Sequence, residues 1–406
     1  MKRIHIILYL FIAAVGSLFA QEANYDEAKV PAFVLSPLLM NEEGERITTA
    51  KEWERTCRPE ILGMLQDQMY GITPTDEVDV RYEEMAVNPQ AFGGKATCRQ
   101  VKIVFTRKFV EREMQLLMYL PNRTKKKVPL FFGLNFKGNQ TIAEAEDIIP
   151  TTDAPRGSDK SSWSVDRILD AGYGLATACY QDIFPDSLRG HRASVLRLFG
   201  YASSDDIKDN DPQAISSWAW GMSRVMDYLE TVPEVDASKV ILLGHSRIGK
   251  AALWAGAQDE RFAVVVSNNT GCGGAALSKR KYGETIGIIT KKFPHWFCKN
   301  YSKYSDNEQS LAFDQHELLA LIAPRPLYVT SGEDDRWADP KGEFLGAAYA
   351  SEVYSLYGHE GLDKDRMPGV NQPVMNRVGY HIRSGKHAVT DYDWEQFIRF
   401  ADKWLK

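Results

Sequence analysis

The sequence predicts an α/β protein built on a mostly parallel central sheet flanked by helices, a three-layer sandwich. Three observations predict it. Short continuous apolar runs recur from residue 128 onward, helical stretches separate them, and one run enters a Gly-x-Ser turn that opens directly into a helix. The runs are Val128–Leu134, Gly174–Cys179, Val240–Gly244, Ala263–Ser267 and Leu327–Thr330. Continuous apolarity suits strands covered on both faces. Helices are expected over Ser161–Ala171, Ile215–Thr231, Lys250–Ala257 and Gln315–Leu321, with a last one over Tyr392–Trp404. Strands and helices in this alternation build right-handed crossovers.

The segments before residue 128 read differently. Met1–Ala20 has a basic start (Lys2, Arg3), an apolar run from Ile6 to Ala14 and a small residue at its end, the pattern of a secretory leader. A membrane span needs roughly 20 apolar residues, and this run is shorter. Residues 1–20 are therefore expected to be removed, leaving a secreted or periplasmic protein with no membrane contact. Residues 21–100 read as an N-terminal extension packed on a catalytic domain of residues 101–406. Ala50–Tyr70 has helical periodicity. Thr48 or Thr49 is placed to cap it, Trp53, Ile61, Leu62, Leu65 and Met69 share a face, and Pro59 is expected to kink or split it. Val78–Glu83, Thr97–Phe105 and Met114–Tyr119 are β-rich and predict an antiparallel lead-in.

Composition narrows the function classes. The 406 residues carry 49 Lys+Arg against 54 Asp+Glu, a net charge of −5, and 44% are apolar. These values exclude a disordered chain. The acidic balance, which deepens by two charges when Lys2 and Arg3 leave, argues against a broad grip on nucleic acid. No CxxC pair and no HExxH occurs, so neither a metal nor an organic cofactor is expected. Cys272 and Cys298 flank one segment and are the candidate disulfide pair, set against the alternative that all five cysteines are buried thiols. A monomer is expected.

The chemistry points to Ser246. Val240–Gly244 is an apolar strand, His245-Ser246-Arg247 is the turn, and a helix follows at once, which is the setting of a nucleophile elbow. A serine hydroxyl is a weak nucleophile and needs a base beside it, while the helix start aims backbone N–H groups at a developing oxyanion. The Arg247 N–H is the first donor expected. Small residues are needed on both sides of such a turn. Gly244 satisfies this two residues before Ser246, but two residues after it stands Ile248, with Gly249 one position late.

In hydrolases of this order the acid and then the histidine follow the serine. His387 stands on a Gly-containing loop before the last helix, where such a fold delivers its base. His381 is its closest rival, with a packing or surface role as the alternative; His295, His316 and His359 have weaker settings. The acid is expected after the Leu327–Thr330 strand, in Glu333-Asp334-Asp335-Arg336-Trp337. Asp335 is favoured by its spacing from Gly332 and Pro340, with Asp334 second. A carboxylate there fixes the histidine tautomer and stabilises the imidazolium.

The stretch Gly244-His245-Ser246-Arg247-Ile248-Gly249-Lys250 resembles the G-x-S-R-x-G-K signature of the glucuronoyl esterases, carbohydrate esterase family fifteen. Thr270–Ala275, Asp334–Trp337 and Gly385-Lys386-His387 ahead of Asp393-Trp394 fit the same family, over roughly residues 125–400. The resemblance implies an α/β-hydrolase that cleaves esters between 4-O-methyl-glucuronate side chains of xylan and lignin alcohols. By the same resemblance Arg247 helps stabilise the oxyanion, and Lys250, Glu284 and Trp337 contact the sugar. Two positions depart from it. Many members carry the catalytic Glu where this chain has Asn269, which leaves Asp335 or Asp334 to act as the acid. The fungal pattern places cysteines where this chain has His245 and Ala388, which resembles the bacterial branch. Another carbohydrate esterase, such as an acetyl xylan esterase, and an inactive carbohydrate-binding relative are the competing functions.

Overall fold

The central strands are buried on both faces, and their side chains divide accordingly. Leu130 and Phe132, with Val240 and Leu242, enter one core, while Phe131, Ile241 and Leu243 enter the other. This alternation is what a sheet sandwiched between helix layers requires. The computed structural model describes residues 23–41, 43–123, 126–203 and 207–406; the expected leader at residues 1–20 lies outside them.

One nine-stranded sheet runs in the order β1-β2-β3-β5-β4-β6-β7-β8-β9. Strands β1 (Asp79–Gln90), β2 (Ala96–Arg107) and β3 (Val110–Pro121) form the antiparallel lead-in. The expected boundary at residue 100 falls within β2, whose two neighbours belong to the same sheet. The parallel part comprises β4 (Val128–Asn135), β5 (Gly174–Cys179), β6 (Val235–His245), β7 (Val264–Asn268), β8 (Leu327–Gly332) and β9 (Val378–Arg383). Helices Ala214–Thr231, Ser246–Gln258 and Pro340–Ser355 cover the first face; Val165–Asp170 and Asp391–Leu405 cover the second. This is the α/β-hydrolase fold.

Two expectations need correction, and two elements escape the sequence reading. The helical stretch after Thr49 breaks at Thr56, not at Pro59. Pro59 sits in the first turn of the second helix, where its missing N–H is one of those without a partner in any helix. Strand β9 and the helix Pro340–Ser355 escaped the apolar-run reading. The strand carries His381 and Arg383, and the helix is rich in small residues and buried on several sides, so neither shows a clean period. Finally, Cys272 and Cys298 are not joined: all five cysteines are buried thiols. The Cys298 thiol donates to the Asp67 carbonyl at 3.6 Å, and burial pushes its pKa up to about 11.

Candidate active site

Ser246 stands where β6 turns into the helix Ser246–Gln258, with φ at +56°. A non-glycine residue in this left-handed region is strained, and such strain concentrates at functional turns. The turn closes because two glycine backbones touch. A Cβ on Gly244 would lie 2.5 Å from the Gly249 Cα, and one on Gly249 would lie 2.3 Å from Thr270 Cγ2. The close approach expected two residues after the serine is thus made three residues after it. Ile248 points into the core.

His387 Nδ1 lies 2.6 Å from Asp335 Oδ2, and the same oxygen accepts from Asn269 Nδ2 at 2.8 Å. Asp335 is buried, whereas the Asp334 side chain is exposed. The structure therefore brings Asp335, and not Asp334, to the histidine. Burial alone would raise the Asp335 pKa. The His387 hydrogen bond and charge, with the Asn269 amide, hold it below the usual carboxylate value.

The two loops are fastened together. A Cβ on Gly332 would meet the Gly385 and Lys386 carbonyls at 2.8 Å, so only glycine permits this packing. Glu333 N–H donates to the Arg383 carbonyl at 2.8 Å and Asp334 N–H to Gly385 at 3.0 Å. Buried Arg383 donates to the carbonyls of Ser384 (3.0 Å), Lys386 (2.9 Å) and Ala388 (2.6 Å), and its Nε to Asp393 at 2.7 Å. His381, the rival histidine, is enclosed between Asp393 (3.0 Å) and the Tyr328 hydroxyl (2.9 Å), a packing role. Burial lowers its pKa, against the pull of Asp393.

His245 precedes the serine, and its ring packs against that of His387, with centroids 4.5 Å apart and planes tilted by 42°. Its Nδ1 lies 2.6 Å from Asn268 Oδ1. Burial, then the neighbouring His387, holds its pKa down to about 4, so the ring is neutral at pH 7.

Arg247 is fixed from several sides. Its guanidinium pairs with Asp186 and lies over the rings of Trp296 (4.9 Å), Phe293 (5.7 Å) and Phe136 (5.8 Å). Asp186 also accepts from His295 Nε2 and Trp296 Nε1, both at 2.8 Å, and from the Tyr180 hydroxyl at 3.2 Å. Burial opposes ionisation of Asp186, but these donors and the Arg247 charge hold its carboxyl well below the usual range.

Lys250 is buried under the glycine-rich turn. Its ammonium donates to the carbonyls of Thr270 and Cys272, each at 2.6 Å, and lies 3.8 Å from Glu284. Burial raises the Glu284 pKa, opposed by Lys250. Glu284 N–H donates to the Trp337 carbonyl at 3.0 Å, so the three expected sugar contacts stand together. The turn itself is anchored by Glu343. That buried carboxyl accepts from the N–H groups of Thr270 (2.6 Å) and Gly271 (3.0 Å) and from the Ser331 hydroxyl (2.6 Å). Burial pushes the Glu343 pKa up to about 8.

Two clefts meet at Ser246, Arg247 and His387. One, of about 340 Å³, includes Lys250, Glu284, Asp335 and Trp337; the other, of about 350 Å³, has Phe136, Trp163 and Val389 in its walls. Among the described residues no group of three or more His, Cys, Asp or Glu is arranged to hold a metal ion, and no helix is long and apolar enough to cross a membrane.

Asp186, His245, Glu343 and Arg383 were not identified as site residues from the sequence. His245 and Arg383 adjoin the two motifs, but Asp186 and Glu343 carry no local signal: they reach the site from 61 and 73 residues away.

Known proteins share this architecture. The family model described as glucuronyl esterase, fungi, matches residues 207–358. A carbohydrate esterase from an unknown prokaryotic organism is 42% identical over 93% of this chain and 91% of its own. A 4-O-methyl-glucuronoyl methylesterase of Schizophyllum commune is 34% identical over 84% of this chain and 79% of its own. The solved glucuronoyl esterase from Solibacter usitatus superimposes with a TM-score of 0.89 at 46% identity, over 93% of this chain and all of that one. On this fold, these likenesses make the chain a carboxylic ester hydrolase of the α/β-hydrolase class. It belongs to the glucuronoyl esterases, carbohydrate esterase family fifteen.

Proposed function

We propose that this esterase hydrolyses the ester between (4-O-methyl-)glucuronic acid of glucuronoxylan and lignin alcohols, through an acyl-enzyme on Ser246. The meeting of two unlike clefts at Ser246 carries the reading. A uronate ester has a sugar acid on one side of its carbonyl and an alcohol on the other. Lys250, Glu284 and Trp337 offer a cation, an acceptor and an aromatic wall to the sugar. Phe136, Trp163 and Val389 offer an apolar surface to an aromatic alcohol.

With Nδ1 on Asp335, His387 has Nε2 left to take the Ser246 proton. The serine attacks the uronate carbonyl. The Arg247 backbone N–H and guanidinium, already held in place by Asp186, stabilise the oxyanion. His387 returns the proton to the departing alcohol, and water activated by the same histidine releases the glucuronate. An acetyl group has no ring oxygens for Lys250 and Glu284 to hold, which disfavours an acetyl xylan esterase. The leader at residues 1–20 would place this monomeric enzyme in the periplasm or outside the cell, where the polymer is.

The test is hydrolysis of benzyl glucuronate, with acetylated xylan as competitor. Turnover of benzyl glucuronate that disappears in Ser246→Ala is expected. Release of acetate without benzyl glucuronate cleavage overturns the reading.

A further inference from the structure

The first described residues form a strap beside the sugar-side cleft. Asn24 accepts from the Gly283 N–H at 2.8 Å, and the Tyr25 carbonyl accepts from the Tyr282 hydroxyl at 3.3 Å and from the Arg336 guanidinium. Glu27 pairs with Arg280 at 2.9 Å and with Lys341 at 2.7 Å. Arg280 is buried and continues to Asp339 at 2.8 Å. The strap thus ties together residues 280–284, which lead to Glu284, and residues 336–341, which follow Asp335 and include Trp337. Between the strap and the first of these segments lies an open groove of about 740 Å³, lined by Asn24, Tyr25, Asp26, Lys29, Lys281 and Thr285. Consecutive residues connect groove and cleft: Glu284 lines the cleft and Thr285 the groove.

We infer that this groove is a subsite for the neutral pyranose units that carry the uronate. The inference rests on the reading of the Ser246 clefts given above. If the alcohol occupies the cleft of Phe136 and Trp163, the rest of the glycan extends from the sugar cleft, which the consecutive residues Glu284 and Thr285 join to the groove, whereas the groove shares no residue with the alcohol cleft. Its chemistry suits a neutral sugar. Asn24, Asp26 and Lys29 line it beside Tyr25, a residue 39% exposed whose ring has the Arg336 guanidinium 5.2 Å from its centroid, and Asp26 and Lys29 lie 3.8 Å apart, so their charges largely cancel. Sugar hydroxyls need such mixed donors and acceptors, and a pyranose face needs a ring.

Tyr25→Ala removes the ring and leaves the backbone bonds of the strap in place. The ratio of kcat/KM on a uronate ester borne by a xylo-oligosaccharide to that on benzyl glucuronate is expected to fall about tenfold, through KM. Titration of an unesterified xylo-oligosaccharide into the full protein, wild type and Tyr25→Ala, reads the groove alone, and binding weakened by a similar factor is expected. Lys29→Ala provides a second variant, with the same direction of change, should Tyr25→Ala unfold. An unchanged ratio, or no binding of the oligosaccharide to wild type, overturns the subsite. Oligosaccharide binding without turnover of either ester supports the groove while overturning the glucuronate reading.

Discussion

Replacing Asp186 by Asn keeps the side chain's shape and removes the charge that holds Arg247. One carboxylate oxygen faces Arg247 and the Tyr180 hydroxyl; the other faces His295 Nε2 and Trp296 Nε1. An amide has only one acceptor oxygen. Whichever way it turns, its NH₂ confronts either the guanidinium or two ring N–H groups. A hydrogen bond to a charged partner is worth about 1.5–3 kcal/mol. If that energy holds the guanidinium where the oxyanion forms, its loss lowers kcat by roughly tenfold to a hundredfold. The assay is kcat and KM on benzyl glucuronate for Asp186→Asn, Arg247→Ala and the double variant. Asp186 touches no substrate in this account, so KM should move little, and the double variant should be no slower than Arg247→Ala alone. Full additivity of the two losses, or wild-type kcat in a folded Asp186→Asn protein, refutes the reasoning.

Two further outcomes follow from the same geometry. Asp335→Asn removes the partner of His387 and should lower kcat by about 10³–10⁴-fold, while Asp334→Asn, exposed and turned away, should stay within about twofold; equal losses would return Asp334 to the role. His245 has a folded pKa of about 4 against an ordinary value near 6.5, so the unfolded chain binds more protons between these values. Its contribution is intact above pH 6.5 and is lost as pH falls toward 4; urea unfolding at pH 7 and pH 5 should show a smaller stability drop in His245→Gln than in wild type, and an identical drop would refute it.

The fold and the proposed trio are legible in the sequence because each lies in one short segment with its own signal. Ser246 sits on an apolar strand that runs into a glycine-flanked turn, and Asp335 follows another strand. His387 lies on a loop ahead of an amphipathic helix. The spacing from Gly332 and Pro340 favours Asp335 over Asp334, but only the fold shows the physical difference, which is that the first is buried and the second exposed. What supports the trio was hidden, because it is assembled across the chain. Asp186 has no strand or motif to announce it. Glu343 lies on a helix whose small, mostly buried residues blur the period, and that blur concealed both the helix and its anchoring role. Ile248 looked like a defect in the turn because the pattern fixes where glycine stands, whereas the physical need is for two backbones to touch, and Gly249 meets it.

Asp393 caps the C-terminal helix by accepting from Thr390, encloses His381 and anchors Arg383, which in turn grips the loop of His387. The loop that carries the proposed base is therefore completed by a helix that follows it in the chain. A ribosome delivers Ser246 first, Asp335 next and this clamp after both, so a nascent chain that has not reached Asp393 holds the proposed nucleophile but not a positioned histidine. Esterase competence should thus arrive in one step, with the docking of the helix Asp391–Leu405, and a chain cut between His387 and that helix would be silent although it keeps Ser246, Asp335 and His387.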